Sequence, residues 1–560
     1  MKSKSLKFLT GAFALSLAIT TTGHAAIYIW NGGGGPDSNW NTKQNWNTPN
    51  PPPNFSSTHE LQFGGSNKTG PIMEASYEIN KLTFNSGAAA FTLTSSGNSV
   101  LTIFAGGIVN NDDSIQTINI TTITLGASQT WNAGTVTGGS LVFSGTTVNL
   151  GVSQTLTIDG SNTTSIVNQI TGTGTSGIIK NGSGTLTLSG NNTYAGVTTI
   201  NNGVLNIQNS NALGGTGSGT SVVSGAALSI QNGITTAAEA LTLNGTGILG
   251  GGALRNISGT NTYAGAITLN SATRINSDSG MLDLNVTAGS AITGANQDVT
   301  FGGVGNVTVS DAITTGSGSL TKDGNGTLTL SASNTYTGNT TINAGTLALA
   351  STGSIASGSA VIKVESGATF NVSAVSGYTV NGTSAVARQL LTGSGGVTGA
   401  TTIGSFGAHN ASGSGVGTQA FSSSLTYNSG SIFQWDLDVQ SPSAEVHDQV
   451  TATSLGGSGA EFKILLGAGD SFADAFWNST RNWAASDLFG ASNANVDLST
   501  IFSSATTTAN FTANSLEGLF SFTSTGGGTG NQLTWTAVPE PTSALAGILL
   551  GAGLLRRRRI

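Results

Sequence analysis

Aspartate is the residue type in this chain best suited to chemistry, because two converging carboxylates can act as acid and base on a glycosidic bond. The aspartates that could converge are Asp278 with Asp283, Asp311 with Asp323, and Asp436 with Asp438 and Asp448. None of these sets has a spacing that is tied to a mechanism. We therefore interpret them as solvated loop carboxylates and predict no catalytic residues.

Histidine is scarce, and His59, His409 and His447 are the histidines that follow the N-terminal segment. None of them stands at the spacing of a zinc-ligand pair, so we predict no metal site, no Ser-His-Asp arrangement and no cofactor. His447 and Asp448, with the nearby Asp436 and Asp438, form the polar cluster most suited to chemistry. We predict a turn there, held by hydrogen bonds from side chains to the backbone.

Glycine-rich segments are similar to ligand loops, but each has a simpler interpretation. The run from Gly32 to Asp37 is similar to a calcium-binding β-roll repeat, yet it occurs once, and such sites need tandem copies to supply their ligands. The segments 180–184 (KNGSG) and 322–326 (KDGNG) are predicted to be turns that lead into a strand.

Aromatic side chains offer a second kind of chemistry, since they can stack on sugar rings. Tyr194, Tyr263 and Tyr336 recur in similar contexts at nearly regular intervals, and either form an aromatic row or cover corners of the core. We favour the core. Exposed aromatic side chains for glycan binding could also come from the late segment that holds Phe476, Trp477 and Trp483.

Charge is rare in this chain of 560 residues. Charged residues make up 8% of it, sixteen of them lie between Asn85 and Ala400, and the formal net charge is −7. A surface of this kind binds nucleic acid poorly, because neutralising phosphates needs clustered Lys and Arg, so we predict no nucleic-acid partner. There is no cysteine, so stability must come from the core and from hydrogen-bonded strands.

A repeated segment positions these residues. Residues 178–207 and 320–349 share the core G-x-G-T-L-T-L-S-x-x-N-T-Y-x-G-x-T-T-I-N-x-G-x-L, in which apolar residues alternate at period two within short strands. Repeated units usually bury their apolar face by stacking on neighbours. We predict an all-β fold, a right-handed parallel β-helix, with about 15 coils of roughly 20 to 25 residues and a length of about 70 Å at the usual strand spacing.

Changes in composition suggest the domain boundaries. Residues 1–25 are predicted to be a signal peptide, 26–80 an N-terminal cap that includes Trp30, Trp40 and Trp46, and 81–404 the β-helix. Residues 405–537, which are richer in Phe and Trp, are predicted to be a β-rich portion that closes the last coil or continues it as a small sandwich. A helix-like stretch is expected from Gly469 to Leu488.

The repeat resembles the autotransporter-associated β-strand repeat of bacterial passenger domains. The best matches are 184–207 and 326–349, and Asn261-Thr262-Tyr263-Ala264-Gly265 is a worn copy. The resemblance implies an exported β-helix. A true passenger would be followed by a membrane barrel of roughly 250 to 300 residues. This chain instead ends in a short apolar segment, so export through such a barrel is in doubt.

The C-terminal segment 538–560 resembles a PEP-CTERM sorting signal. Its parts are a Pro-Glu-Pro motif, an apolar run over 542–555 and an arginine cluster, and the residues that carry the resemblance are Pro539, Glu540, Pro541, Arg556, Arg557, Arg558 and Arg559. The resemblance implies recognition by an exosortase-type sorting protease and association with exported polysaccharide. A helix over 542–555 covers about 21 Å, so we expect transient membrane contact rather than a permanent span.

These features predict an exported structural or adhesive protein at the surface or in the extracellular matrix of a Gram-negative bacterium, with extracellular polysaccharide as a partner. The alternative is a polysaccharide-active β-helix enzyme, a lyase or hydrolase, since a fold alone does not settle activity. A lateral groove with several stacked charged side chains would favour the enzyme.

Overall fold

Short strands with alternating apolar residues stack as parallel rungs along the chain. The computed structural model describes residues 25–413, 415–441, 443–467, 475–507, 518–523 and 531–537. These residues form a β-solenoid of about 16 turns with almost no helix, which confirms the predicted all-β parallel architecture. Residues 1–24 of the expected signal peptide and the whole of 538–560, with its expected sorting helix, lie outside the described residues.

The core is built from columns of inward-facing apolar residues. One column runs in register through Leu186, Leu205, Leu228, Leu254 and Ile275, all of them fully buried. Burying a side chain of this size stabilises the fold by about 1.5–3 kcal/mol. The alternation of Leu with Thr in the repeats therefore produces one apolar face per strand, and the stack buries that face.

Within each copy of the repeat, two strands pair with each other. In the first copy Thr185 pairs with Val204, and in the second Thr327 pairs with Thr346, so the two strands of each copy have the same offset. One copy therefore spans about one and a half coils. The strand beginning at Thr185 belongs to the largest sheet and that beginning at Thr327 to another, so the copies lie at different positions around the solenoid axis.

The largest sheet holds 35 strands among the described residues. They are Ile27–Trp30, Glu60–Phe63, Ile72–Met73, Tyr77–Phe84, Thr92–Ser95, Val100–Asn110, Ile115–Asn119, Thr122–Leu125, Gln129–Asn132, Ser140–Phe143, Thr147–Val152, Thr155–Asp159, Thr164–Ile166, Gln169–Thr173, Gly177–Lys180, Thr185–Leu188, Thr198–Ile200, Val204–Ile207, Thr220–Val222, Ala227–Ile230, Leu241–Gly245, Leu254–Asn256, Ile267–Ser277, Ser290–Gly294, Val299–Gly302, Ala312–Thr314, Leu320–Lys322, Thr340–Ile342, Val361–Val364, Gln389–Thr392, Gly407–Asn410, Ile432–Ser441, Ala444–His447, Ala460–Leu466 and Phe502–Thr507.

Three smaller sheets complete the described β structure. Nine parallel strands form the second sheet: Thr260–Tyr263, Met281–Leu284, Asn306–Val309, Thr327–Leu330, Thr346–Leu349, Thr369–Asn371, Gly396–Thr398, Thr418–Phe421 and Gln449–Thr451. Four form the third: Tyr378–Val380, Thr401–Ile403, Ser424–Tyr427 and Ser454–Gly457. The fourth is antiparallel, with Arg481–Ala484, Gly518–Thr523 and Gln532–Ala537.

Helices are short and few in the described ranges. The α-helices are Ala485–Phe489 and Leu498–Ile501, and the 3₁₀ turns are Lys43–Asn45, Ile248–Gly250, Ala475–Asn478 and Ala491–Asn493. The helix-like stretch expected from Gly469 to Leu488 is helical only in part of its described residues, at 475–478 and from 485 onward, because 481–484 is a strand that pairs with 532–535. Tertiary pairing overrides the local pattern there.

A second chain segment covers the N-terminal edge of the largest sheet. Asn47 donates its backbone N–H to the carbonyl of Ile29 (2.9 Å), and its side chain accepts the N–H of Ile29 (2.8 Å). The rings of Trp30, Trp40 and Trp46 are buried beneath this segment, with Trp46 edge-on to both others. The first strand of the solenoid is thus not an open edge.

Aromatic side chains and short helices cover the other end. The parallel ladder continues past residue 404, with Phe433 pairing with Phe462 and then Phe462 with Ala505, so the change in composition does not end the stack. The side chain of Asn493 donates to the carbonyls of Ala452 (3.0 Å) and Phe489 (2.8 Å). This amide bonds the backbone of a terminal rung where a further strand would otherwise pair.

Candidate functional site

An uncharged row of outward-facing side chains runs along the largest sheet. One residue per strand projects from nine successive rungs that pair in register. At the usual strand separation the row is about 38 Å long. We call this row the hydroxyl strip; its members are Thr130, Thr157, Ile179, Thr199, Ser221, Thr242, Thr268, Thr293 and Thr314.

The hydroxyl strip presents a repeated chemical pattern. Its side chains are partly exposed, Thr268 the most, and the hydroxyls of Thr268 and Thr293 lie 3.3 Å apart. Amide side chains flank part of the strip, where Asn201 donates to Asn181 (2.8 Å). The surface therefore offers hydrogen-bond donors and acceptors without net charge.

A shallow groove lies on the hydroxyl strip at the first copy of the repeat. Its volume is about 190 Å³, and its lining residues are Thr155, Thr175, Gly177, Ile179, Gly196, Val197, Thr199 and Ser218. A Cβ added at Gly177 would collide with the carbonyl oxygen of Val197, so close approach of the backbone requires glycine at this position. We call this feature the Gly177 groove.

The predicted carboxylates near the middle of the chain do not form acid-base pairs. Asp278 is bonded to Arg255 (2.6 Å), and Asp323 accepts both terminal nitrogens of Arg274 (2.7 and 2.8 Å). The carboxylates of Asp283 and Asp311 accept hydrogen bonds from the Ser310 hydroxyl and the Val286 N–H, both at 2.8 Å. The interpretation as merely solvated carboxylates was therefore incomplete, because each has a structural partner.

Asp448 links the strands Ala444–His447 and Gln449–Thr451, and its side chain bonds the backbone as expected, but its partners lie on other segments rather than in a local turn. It is fully buried, and its carboxylate accepts the N–H groups of Gly417 (2.8 Å) and Asp436 (3.2 Å). Burial, and then the charge of Asp436, raises the pKa of Asp448 to about 7. A cavity of about 420 Å³ is lined by Asp436 and Asp438, but Asp448 does not line it.

The histidines are separate from one another. His409 is fully buried, with its ring nitrogens 2.5 Å from the Tyr427 hydroxyl and 2.7 Å from the Gln419 side-chain oxygen, and burial lowers its pKa to about 4. His59 packs on Tyr28, and His447 lies beside Trp435. Among the described residues, no three His, Asp or Glu side chains are placed to hold a metal ion.

Two buried lysines have a role that the sequence analysis missed. Lys180 and Lys322 occupy the same position in the two copies of the repeat, and each ammonium group donates to backbone carbonyls of the turn that follows it. Each also reaches the next coil, at the carbonyls of Asn202 (3.2 Å) and Ala344 (3.3 Å). The turns were predicted correctly, and the recurrence of lysine before both was the available signal.

A third lysine explains the glycine-rich segment near the N-terminus. The Lys68 ammonium is bonded by the carbonyls of Gly35 (2.5 Å) and Asp37 (2.6 Å) and by the Asn45 side-chain oxygen (3.2 Å). These oxygens are suited to a cation, and the protein supplies the cation itself. The likeness to a calcium loop therefore has a structural explanation.

The recurring tyrosines belong to the core, as predicted, and the alternative of an exposed aromatic row is wrong. Tyr194, Tyr263 and Tyr336 are fully buried. The hydroxyls of Tyr194 and Tyr336 bond Thr198 (2.6 Å) and Thr340 (2.8 Å), at the same offset along the chain in each case. Their phenol groups cannot stack on a sugar outside the solenoid.

A buried asparagine stands two positions before each of these tyrosines. The side-chain oxygens of Asn192, Asn261 and Asn334 accept backbone N–H groups of the preceding coil at 2.7 to 2.9 Å. Their amide nitrogens also donate, for example from Asn334 to the carbonyl of Ser354 (2.8 Å). Each amide thus joins neighbouring coils at a corner, a role that the shared N-T-Y motif could have suggested.

The late aromatic residues are also unavailable to a ligand. Phe476 and Trp477 are fully buried and Trp483 is 2% exposed, so the expectation of exposed stacking platforms there is wrong. They belong to the cluster that covers the C-terminal end of the solenoid, with Trp477 and Trp535 at 5.1 Å between ring centroids.

The predicted sorting residues, from Pro539 to Arg559, lie outside the described residues. Among the helices that are described, none has the length and apolar character needed to cross a bilayer.

The fold defines a repeat protein of the parallel β-solenoid class. The family model described as Passenger-associated-transport-repeat matches residues 178–207 and 320–349, the two copies recognised above. The chain therefore carries two such repeats, which confirms its resemblance to autotransporter-associated repeats.

A curated relative matches a part of this chain. The adhesin BmaC autotransporter of Brucella suis biovar 1 (strain 1330) is 35% identical over 121 residues. That stretch is 22% of this chain and 4% of the relative, so the similarity concerns a small part of a much longer protein. No solved structure matches this chain.

Proposed function

We propose that this chain is an exported structural or adhesive protein of a Gram-negative cell surface or extracellular matrix, and that it contacts exported polysaccharide. We propose no catalytic role. The observation that carries the proposal is the hydroxyl strip, an uncharged row repeated over nine rungs of one rigid stack. Many weak, equivalent contacts on one body give avidity without a deep binding site.

The distribution of charge supports this proposal. Ion pairs engage several of the few charged groups on the solenoid, as in Arg274 with Asp323 and Lys363 with Glu365. Buried carbonyl contacts engage Lys180 and Lys322. A groove of stacked charged side chains, which would favour the enzyme alternative, is not formed by the carboxylates described above. The matched relative is an adhesin, and this agrees with an adhesive role here.

The C-terminal motif extends the proposal to sorting. We propose that Pro539, Glu540 and Pro541 are read by an exosortase-type protease, with transient membrane contact through the apolar segment and Arg556 to Arg559. A variant with Pro539→Ala, Glu540→Ala and Pro541→Ala should remain uncleaved in the envelope. Substitution of Thr542→Ala, just beyond the motif, is the control; equal processing of both variants would contradict the sorting proposal.

Cell-based and binding experiments test the function. Deleting the gene should reduce cell adhesion or matrix cohesion, and the purified chain should be retained by extracellular polysaccharide from its producer. When the deletion strain is given a gene for the triple variant of the sorting motif, the chain should be expressed, but adhesion and matrix cohesion should not be restored. Normal adhesion and matrix after deletion, together with no retention by the polysaccharide, would overturn the proposal.

A further inference from the structure

The Gly177 groove interrupts the hydroxyl strip with an apolar floor. Ile179 is the one strip member without a hydroxyl, and Val197, which is 48% exposed, stands beside it. Thr155, Thr199 and Ser218 place hydroxyl groups around this apolar surface. The groove thus combines the two kinds of contact that a sugar ring needs, an apolar face for C–H groups and hydroxyls for hydrogen bonds.

The groove has the size and charge for one type of occupant. Its volume of about 190 Å³ is below the ~300–1,000 Å³ of sites for drug-sized ligands. None of its eight lining residues is charged, and the neighbouring Lys180 is 2% exposed, with its ammonium group bonded to backbone carbonyls. No cation is therefore available in the groove to select an acidic sugar.

We infer that the Gly177 groove is the site that binds one ring of a neutral polysaccharide, whose chain then continues along the hydroxyl strip. This inference rests on the proposed function and names the ligand class and the place where it binds. The strip supplies successive polar contacts at the spacing of the strands, and the groove supplies the apolar contact that fixes a ring.

The second copy of the repeat provides a matched comparison. The position of Ile179 is taken there by Thr321, and that of Val197 by Asn339. Thr321 likewise lies in a short strand, Leu320–Lys322, directly before a buried lysine, and Asn339 is likewise exposed. The double variant Ile179→Thr/Val197→Asn therefore introduces residues that the chain already accommodates at equivalent positions, and it should fold normally.

Affinity electrophoresis of the full chain tests the inference, with gels that contain galactomannan, a β-glucan, dextran or the acidic polymer alginate. We expect retention by at least one neutral polymer, and a dissociation constant at least about fivefold weaker for the double variant. The control Thr321→Ile/Asn339→Val should bind no more weakly than the wild type. Unfolding curves verify that the variants fold.

The outcomes separate the inference from the proposed function. Equal retention of the wild type and the double variant would overturn the groove as the site while leaving polysaccharide binding intact. Retention by alginate alone would overturn the choice of a neutral ligand. Retention neither by the tested polymers nor by the polysaccharide of the producer would overturn the inference and, together with normal adhesion and matrix after gene deletion, the proposed function as well.

Discussion

At the scale of single residues, charged side chains buried in the solenoid are stabilised by hydrogen bonds to their charged atoms, with one exception. Lys180 and Lys322 are met by carbonyls, and Asp448 by backbone N–H groups. Glu239 is the exception. It is 2% exposed, and one carboxylate oxygen accepts the Thr220 hydroxyl (3.2 Å) while the other has no hydrogen-bond partner.

Glu239→Gln should stabilise the protein at alkaline pH and have little effect near pH 4.5. Burial raises the pKa of Glu239 from its usual 4.5 to about 7. The folded state thus favours the protonated carboxyl, and the stability it contributes is lost as pH rises from 4.5 through 7. Above pH 7 we expect the variant to gain about 1–3 kcal/mol in urea unfolding. A difference that is constant between pH 4.5 and 8.5 would contradict this.

Gly302→Ala should destabilise the fold, although glycine in a strand is usually replaceable. Arg274 and Asp323 are paired across one intervening rung, and Gly302 lies in that rung. An added Cβ would collide with the guanidinium of Arg274. The guanidinium is the mobile end of its side chain and can move away from Asp323, so we expect the loss of one partly exposed ion pair, up to about 1 kcal/mol in thermal or urea unfolding.

Gly217→Ala is the control for this prediction, because a Cβ there has open space around it. Similar unfolding midpoints for the two alanine variants would show that the ion pair does not need the gap at Gly302.

At the scale of elements, the sequence predicted the strands and turns but not the side chains that join one coil to the next. Leu-Thr alternation and Gly-containing turns act locally, so they can be interpreted from neighbours in the chain. The contacts of Lys322 and Asn334 join each side chain to the following coil, where spacing does not reveal the partner. The strand at 481–484 was missed for the same reason, since its partner lies far along the chain, at 532–535.

Lys180 and Lys322, which bond the carbonyls of the turns that follow them, make the stability of the protein depend on pH. Burial lowers the pKa values of Lys180 and Lys322 from the usual 10.5 to about 8. Their contribution to stability is present above pH 10.5 and is lost as pH falls through 8. The unfolding free energy of the wild type, relative to that of Lys180→Met/Lys322→Met, should therefore rise between pH 8 and 10.

The same double variant should be less stable than the wild type at pH 10, by about 1–3 kcal/mol for each turn, because buried carbonyls lose their donors. Lys43→Met, at an exposed lysine, is the control. A difference between wild type and double variant that does not change with pH would contradict the titration of these lysines.

Asn334→Ala should weaken the corner that links three coils. The amide bonds the N–H of Ile313 (2.9 Å) and the carbonyl of Ser354 (2.8 Å), and the substitution leaves both without a side-chain partner. We expect a loss of about 2–4 kcal/mol by urea unfolding, from two buried groups at about 1–3 kcal/mol each with partial relaxation. Asn339→Ala, at an exposed asparagine, should change stability little, and equal effects would exclude the corner role.

At the scale of the whole molecule, about 16 turns at the usual strand spacing give a stack about 77 Å long. The sequence predicted about 15 coils, from an assumed coil length of roughly 20 to 25 residues. The sequence could not place the copies around the axis, since that depends on every turn between them. Covered ends and an uncharged strip agree with the proposed structural or adhesive role.

Cysteine pairs test the in-register stack most directly, because the chain contains no cysteine of its own. We expect the pairs Thr199→Cys/Ser221→Cys and Thr242→Cys/Thr268→Cys to be joined by oxidation or by a short thiol-bridging reagent, since each pair occupies adjacent rungs. Thr199→Cys/Thr242→Cys, two rungs apart at about 9.6 Å, should keep free thiols. Efficient joining of that control, or failure of both adjacent pairs, would contradict the solenoid and the strip it presents.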